Sequence, residues 1–205
     1  MEFDPRSLLL MAITDGAREG TEALVARAAA AVRGGATMVQ LRLKDADART
    51  LVEVARALVR ALPVPVLVND RADVALAADA AGVHVGTDDL PVSAVRAIAP
   101  RGFIIGASVG ADAEVPGSRG ADYVGIGPVF STLSKSDAGS AIGLEGFARL
   151  ARACALPAVA IGGITEANAR QVIDAGASGV ALIRALLGAP DPEQAARRIR
   201  DAIGR

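Results

Sequence analysis

Val39-Gln40-Leu41-Arg42-Leu43-Lys44 alternates apolar and polar residues along its whole length. Alternation with period 2 is the pattern of a strand, with Gln40, Arg42 and Lys44 on one face and Val39, Leu41 and Leu43 on the other. A carboxamide and two cations at one strand end are costly to bury without partners. A bound anion would satisfy all three, with Arg42 as a planar fork, Lys44 as a point charge and Gln40 as an amide donor. An ordinary half-exposed strand with Lys44 in solvent accounts for the hexapeptide as well, so the rest of the chain has to decide.

Outward from this stretch, short apolar runs alternate with helical ones. Upstream, residues 8–13 form an apolar run that ends at Thr14-Asp15-Gly16. An Ala-rich helical stretch, Thr21–Arg33, follows and stops at Gly34-Gly35. Downstream, helical patterns cover Ala48–Ala61, 72–80, 91–99, 111–119, 144–153, 166–174 and Pro192–Ile203. Strand patterns lie between them at 66–68, Gly82–Val85, 103–106, 122–125, Ala158–Ile161 and 179–183. Eight strand–helix units of roughly 25 residues predict an α/β fold at the compact end of the eightfold parallel (β/α)8 TIM barrel. Continuous apolar strands such as Val159-Ala160-Ile161 suit a parallel sheet covered on both sides. A doubly wound open sheet is the alternative, but no Gly-x-Gly-x-x-Gly follows the first strand. A single domain over residues 1–205 is expected.

Net charge is −1 and aromatic residues make up 2% of the chain, which argues against a nucleic-acid surface. The single cysteine, Cys154, excludes an internal disulfide and fits a reducing compartment. The N-terminal segment carries acids and lacks a basic region. The run at 8–13 is too short for a signal core or a membrane span, so a cytoplasmic protein without membrane contact is expected.

In a barrel the site lies at the carboxyl ends of the strands, and the unusual polar residues sit there. Asn69, Asp70 and Arg71 follow the third strand, and Asp89 follows the fourth. Singly, Asp70 is explained as a helix cap and Asp89 as a turn acid. Together, on neighbouring strand ends beside a cationic strand, they suggest a divalent cation. Oxygen ligands with few protein contacts fit magnesium, with phosphate oxygens completing its shell. His84, the only histidine, lies inside an apolar strand, where a packed, hydrogen-bonded core histidine is the simplest reading. Neither His84 nor Cys154 has companions for a zinc cluster. The long polar loop after Gly125 carries Thr132, Ser134 and Lys135, hydroxyl and ammonium donors suited to phosphate oxygens, and its length suggests a lid. Gly162-Gly163 and Arg184 end the seventh and eighth strands, where barrels frequently hold a phosphate. Arg184 reads equally well as the start of an exposed helix.

Several motifs occur in one order: Ile-Thr-Asp at 13–15, Gln-x-Arg-x-Lys at 40–44, Asn-Asp-Arg at 69–71 and Gly-Val-His-x-Gly-x-x-Asp-Leu-Pro at 82–91. Asp-Tyr-Val-Gly-x-Gly-Pro-Val-Phe-x-Thr-x-Ser-Lys at 122–135 and Ala-Ile-Gly-Gly-Ile at 160–164 complete the set. Each is weak alone; as an ordered set they closely resemble the thiamin phosphate synthase (thiamin-phosphate pyrophosphorylase) family over nearly the whole chain. The resemblance implies a transferase that joins a hydroxymethylpyrimidine pyrophosphate to a thiazole phosphate with release of pyrophosphate. It implies that Gln40, Arg42 and Lys44 hold the pyrimidine pyrophosphate, that Asn69 contacts the pyrimidine ester, and that Asp70 and Asp89 hold Mg2+. Ser108 falls where the family contacts the pyrimidine or its pyrophosphate. Thr132 and Ser134 would bind the thiazole phosphate, Lys135 the pyrophosphate, and Gly163, Ile183 and Arg184 would contribute to the phosphate pocket. Arg42, Lys44 and Lys135 would carry the catalytic charge. Ser134 stands where threonine is common, Arg184 where serine often sits, and Met11 where an aromatic is frequent. A thiazole tautomerase on the same barrel and a non-catalytic phosphometabolite-binding barrel are the alternatives. The implied partners are small molecules, and a homo-oligomer is left open.

Overall fold

A computed structural model describes residues 3–16, 20–131 and 140–204. The chain alternates β1 (Leu10–Ile13), α1 (Thr21–Arg33), β2 (Met38–Leu41), α2 (Ala48–Ala61), β3 (Val66–Asn69), α3 (Ala72–Ala77), β4 (Gly82–Val85) and α4 (Val92–Ile98). It continues with β5 (Ile104–Val109), a 3₁₀ helix (Asp112–Ser118), β6 (Tyr123–Ile126), α5 (Gly143–Cys154), β7 (Ala158–Ile161), α6 (Ala169–Asp174), β8 (Gly179–Leu182) and α7 (Pro192–Ile203). The strands pair in chain order, all parallel, and β8 closes on β1 with Ala181 opposite Met11. The structure is therefore the closed eightfold barrel that the alternation predicts, and not the open sheet.

Every residue of β1, β2, β4 and β8 is buried, because helices cover the outside of the sheet and side chains fill the inside. Outward residues such as Leu10, Val39, Leu41, Val68 and Ile105 pack under the helices. The α2 residues Leu51, Val54, Ala55 and Leu58 meet them at helical spacing. Inward residues form a separate cluster of Leu8, Met11, Met38, Leu67, Ile104, Tyr123 and Val159. Phe3 stacks on Tyr123 at 6.4 Å at the amino end of that cluster. Towards the carboxyl ends the inward positions become polar: Gln40, Arg42 and His84 are buried there. Asp47 and Asp191 cap α2 and α7, each accepting a backbone N–H at 2.9–3.0 Å. Among the described residues no helix is long and apolar enough to cross a membrane.

The opening hexapeptide forms a shorter strand than its alternation implies. Pairing stops at Leu41, and Lys44 is exposed in the following turn. The reason lies in the neighbouring strand. Thr14, just past β1, accepts the Arg42 N–H at 2.7 Å and donates to the Arg42 carbonyl at 2.9 Å. One buried hydroxyl thus replaces the ladder, and the inward face of the hexapeptide comprises Gln40 and Arg42. The helix expected over 166–174 begins at Ala169, because Asn168 turns back to accept the Thr165 N–H at 2.8 Å. The crossover over 111–119 is 3₁₀ rather than α.

Candidate active site

The polar side chains converge on the mouth formed by the carboxyl ends of the strands. Arg42 is only 6% exposed, and its Nη1 lies 3.4 Å from the Asp15 carboxylate. Because Thr14 holds its backbone on both sides, the guanidinium projects from a fixed point. Gln40, one inward position deeper, turns Nε2 toward the Met11 sulfur at 3.9 Å. Lys44 lies in the exposed turn that follows.

Asn69 ends β3, half-buried and in register with His84 on β4. Asp70 follows with φ +64°, and its N–H donates to the His84 carbonyl at 2.7 Å. This left-handed residue turns the chain at the strand end, a conformation that Asp and Asn tolerate better than most residues. Asp89 lies beyond the adjacent strand, with Oδ2 accepting the Gly86 N–H at 2.7 Å. Two carboxylates at neighbouring strand ends match the hard-oxygen donor set of magnesium. Among the described residues no group of three or more metal-ligating side chains exists.

Across the mouth, Ser108 near the end of β5 lies with Oγ 3.0 Å from His84 Nε2. Gly163 (φ +64°) packs beneath the chain entering the long loop: a Cβ there would fall 2.5 Å from the Ser131 carbonyl. Val129 and Phe130 donate to Ile161 and Gly162 carbonyls at 2.9 and 3.0 Å, zipping the loop's first residues onto β7. Ile142 and Gly143 donate back to Pro128 and Val129 at 2.9 and 3.0 Å, so both roots of the loop are pinned at the mouth. Thr132, Ser134 and Lys135, and the expected lid around them, lie outside the described residues. Ile183 and Arg184 line a cleft of about 720 Å³ between the β1 and β8 loops, with Asp15, Gly16 and Arg27. A shallow depression of about 830 Å³ at the opposite end of the barrel is lined by Arg6, Arg33 and Arg197. These already pair with Asp4 and Glu193, far from the strand ends that carry chemistry.

Two residues with structural weight were not singled out from the sequence as site candidates. In the sequence Thr14 reads as a turn residue, and its pair of hydrogen bonds to the Arg42 backbone depends on the β1–β2 register. Tyr123 was only a letter in a motif. It is fully buried, with its hydroxyl 2.9 Å from His84 Nδ1. Burial pushes its phenol far above the ordinary range, with the Gln40 amide acting in the opposite sense. Being the only tyrosine, on the inward face beside Gly125, was the signal available.

The chain is a closed eightfold parallel barrel whose buried polar side chains gather at the carboxyl ends of its strands. A family model described as thiamine monophosphate synthase matches residues 10–186. The chain is 49% identical over 198 residues to the thiamine-phosphate synthase of Roseiflexus castenholzii, covering 94% of this chain and 87% of that one. It is 47% identical to the thiamine-phosphate synthase of Xanthobacter autotrophicus, covering 97% of each. A solved thiamine phosphate pyrophosphorylase from Pyrococcus furiosus superposes with a TM-score of 0.84 at 38% identity, covering 97% of this chain and 96% of that one. The chain belongs to the thiamine monophosphate synthase family.

Proposed function

We propose that this protein is a thiamin phosphate synthase. It is a transferase that joins 4-amino-2-methyl-5-hydroxymethylpyrimidine pyrophosphate to thiazole phosphate and releases pyrophosphate. The observation that carries this reading is near-half identity to named synthases over nearly the full length of chain and relatives. The buried, pre-held Arg42 at the barrel mouth supports it. No nucleophile–base pair is required, because the pyrimidine–oxygen bond ionises to a resonance-stabilised cation. Arg42, Lys44 and Lys135 stabilise the departing pyrophosphate electrostatically. Gln40, Asn69 and Ser108 hold the pyrimidine half. Thr132, Ser134, Gly163, Ile183 and Arg184 anchor the thiazole phosphate, keeping the thiazole nitrogen close enough to capture the cation. Asp70 and Asp89 would hold Mg2+. Bound there, the ion supplies positive charge to the leaving group. Balanced charge and the single cysteine support a cytoplasmic location.

The test is direct. Purified protein incubated with both phosphorylated halves and magnesium should yield thiamin phosphate and pyrophosphate in equal amounts. Chelation should stop the reaction, and added magnesium should restore it. A tautomerase has no leaving group and would tolerate the chelator. Absence of thiamin phosphate under these conditions excludes the assignment.

A further inference from the structure

Beneath the mouth, a chain of polar side chains runs through the barrel interior. His84 sits with Nδ1 2.9 Å from the Tyr123 hydroxyl and Nε2 3.0 Å from Ser108 Oγ. Space is cut for this pair by glycines on β5 and β6. A Cβ on Gly106 would fall 2.3 Å from the Tyr123 ring and 2.5 Å from His84 Nδ1, and one on Gly125 would fall 3.0 Å from His84 Cε1. Tyr123 has no solvent exposure and its ring is backed by Phe3, so its hydroxyl answers only to protein partners.

The partners set a direction. Buried away from solvent, the Tyr123 phenol gives its proton to His84 Nδ1, 2.9 Å away. The imidazole proton then sits on Nε2 and is donated to Ser108 Oγ. Ser108, accepting from His84, is left to direct its own proton toward the mouth.

We propose that His84 is a positioning residue for the pyrimidine pyrophosphate substrate, orienting the Ser108 hydroxyl while Tyr123 holds the imidazole from below. This rests on the synthase reading. The imidazole itself stays beneath the ligand. It fixes Ser108 as a donor toward the mouth, so that the pyrimidine ester meets a pre-set hydrogen bond before ionisation.

Two substitutions separate the ends of the imidazole. His84→Asn retains a polar atom near Nδ1, beside Tyr123, and loses the one beside Ser108; His84→Gln does the reverse. With activities normalised to folded protein by circular dichroism, His84→Asn should lower kcat/KM for the pyrimidine pyrophosphate by roughly 10- to 100-fold. The KM for thiazole phosphate should change by no more than about twofold, since its anchors lie on other strands. Adding Ser108→Ala to His84→Asn should cost nothing beyond Ser108→Ala alone, because both remove one interaction. His84→Gln should recover most of the loss. His84 is the only histidine, so its imidazole ¹⁵N signals are unambiguous. They should report a proton on Nε2 and an Nε2 shift when the pyrimidine pyrophosphate binds. A parental kcat/KM for the pyrimidine pyrophosphate in His84→Asn, multiplicative losses in the double variant, or a proton on Nδ1 would overturn the proposal while leaving an active parent, and hence the synthase reading, intact. A parent that makes no thiamin phosphate removes both.

Discussion

At the scale of single residues, Thr14 and Asp70 show how small groups set the geometry of large charges. The Thr14 hydroxyl is buried and bonds both backbone groups of Arg42. Thr14→Val keeps the shape and strands both, at an expected cost of about 2–4 kcal/mol. Urea denaturation should show a lower midpoint at unchanged slope, and the KM for pyrimidine pyrophosphate should rise as Arg42 loses its fixed base. Asp70 has φ +64°, which Asn adopts as readily as Asp. Asp70→Asn should therefore add no backbone strain, so its kinetic loss reports charge. Leaving-group stabilisation grows toward the transition state, so kcat should fall by about tenfold or more, each tenfold being about 1.4 kcal/mol. The magnesium concentration needed for half-maximal rate should rise. A kcat equal to the parent's removes Asp70 from the metal site.

Between elements, close approach separates positions that support stability from those that support the site. Gly34 ends α1 against α7: a Cβ there would fall 2.2 Å from the Glu193 carbonyl and 2.7 Å from Ala196 Cβ. Its φ of −77° is open to any residue, so the requirement is space alone. Gly34→Ala should destabilise by about 1–3 kcal/mol through overpacking. At the amino end of the barrel it should leave kcat per folded molecule unchanged. Gly163 at the mouth combines positive φ with contact on Phe130 and Ser131. There a methyl group would push on the root of the loop that carries Lys135.

Over the whole molecule, the buried phenol ties ionisation to global unfolding. The folded pKa of Tyr123 lies above its unfolded value of 10.0, chiefly through desolvation. Above that pH the unfolded chain loses a proton that the folded chain keeps. The contribution is complete below pH 10.0 and declines as pH rises beyond it. With one tyrosine and no tryptophan, phenolate absorbance isolates this group. It should appear only together with the loss of helical circular dichroism, and Tyr123→Phe should flatten the alkaline decline. Phenolate signal in a folded protein would show that water reaches the barrel interior.

The sequence alone determined the eight alternating units, their parallel pairing order and the placement of Asn69, Asp70, Asp89, Ser108, Gly163 and Arg184 at strand ends. These follow from local periodicity and turn chemistry, which act over a few residues. It also placed Gln40 and Arg42 on one face, because alternation needs no knowledge of partners. The tertiary structure alone decided where β2 stops, since Thr14 and Arg42 meet only through the β1–β2 register. It likewise decided what His84 touches. Tyr123 lies 39 residues away in sequence and Ser108 lies 24, and the pairing of β4, β5 and β6 in a curved sheet brings both within 3.0 Å of one imidazole. Hydrogen bonds between distant strands depend on register and on the space left by Gly106 and Gly125, and neither is encoded in any local pattern.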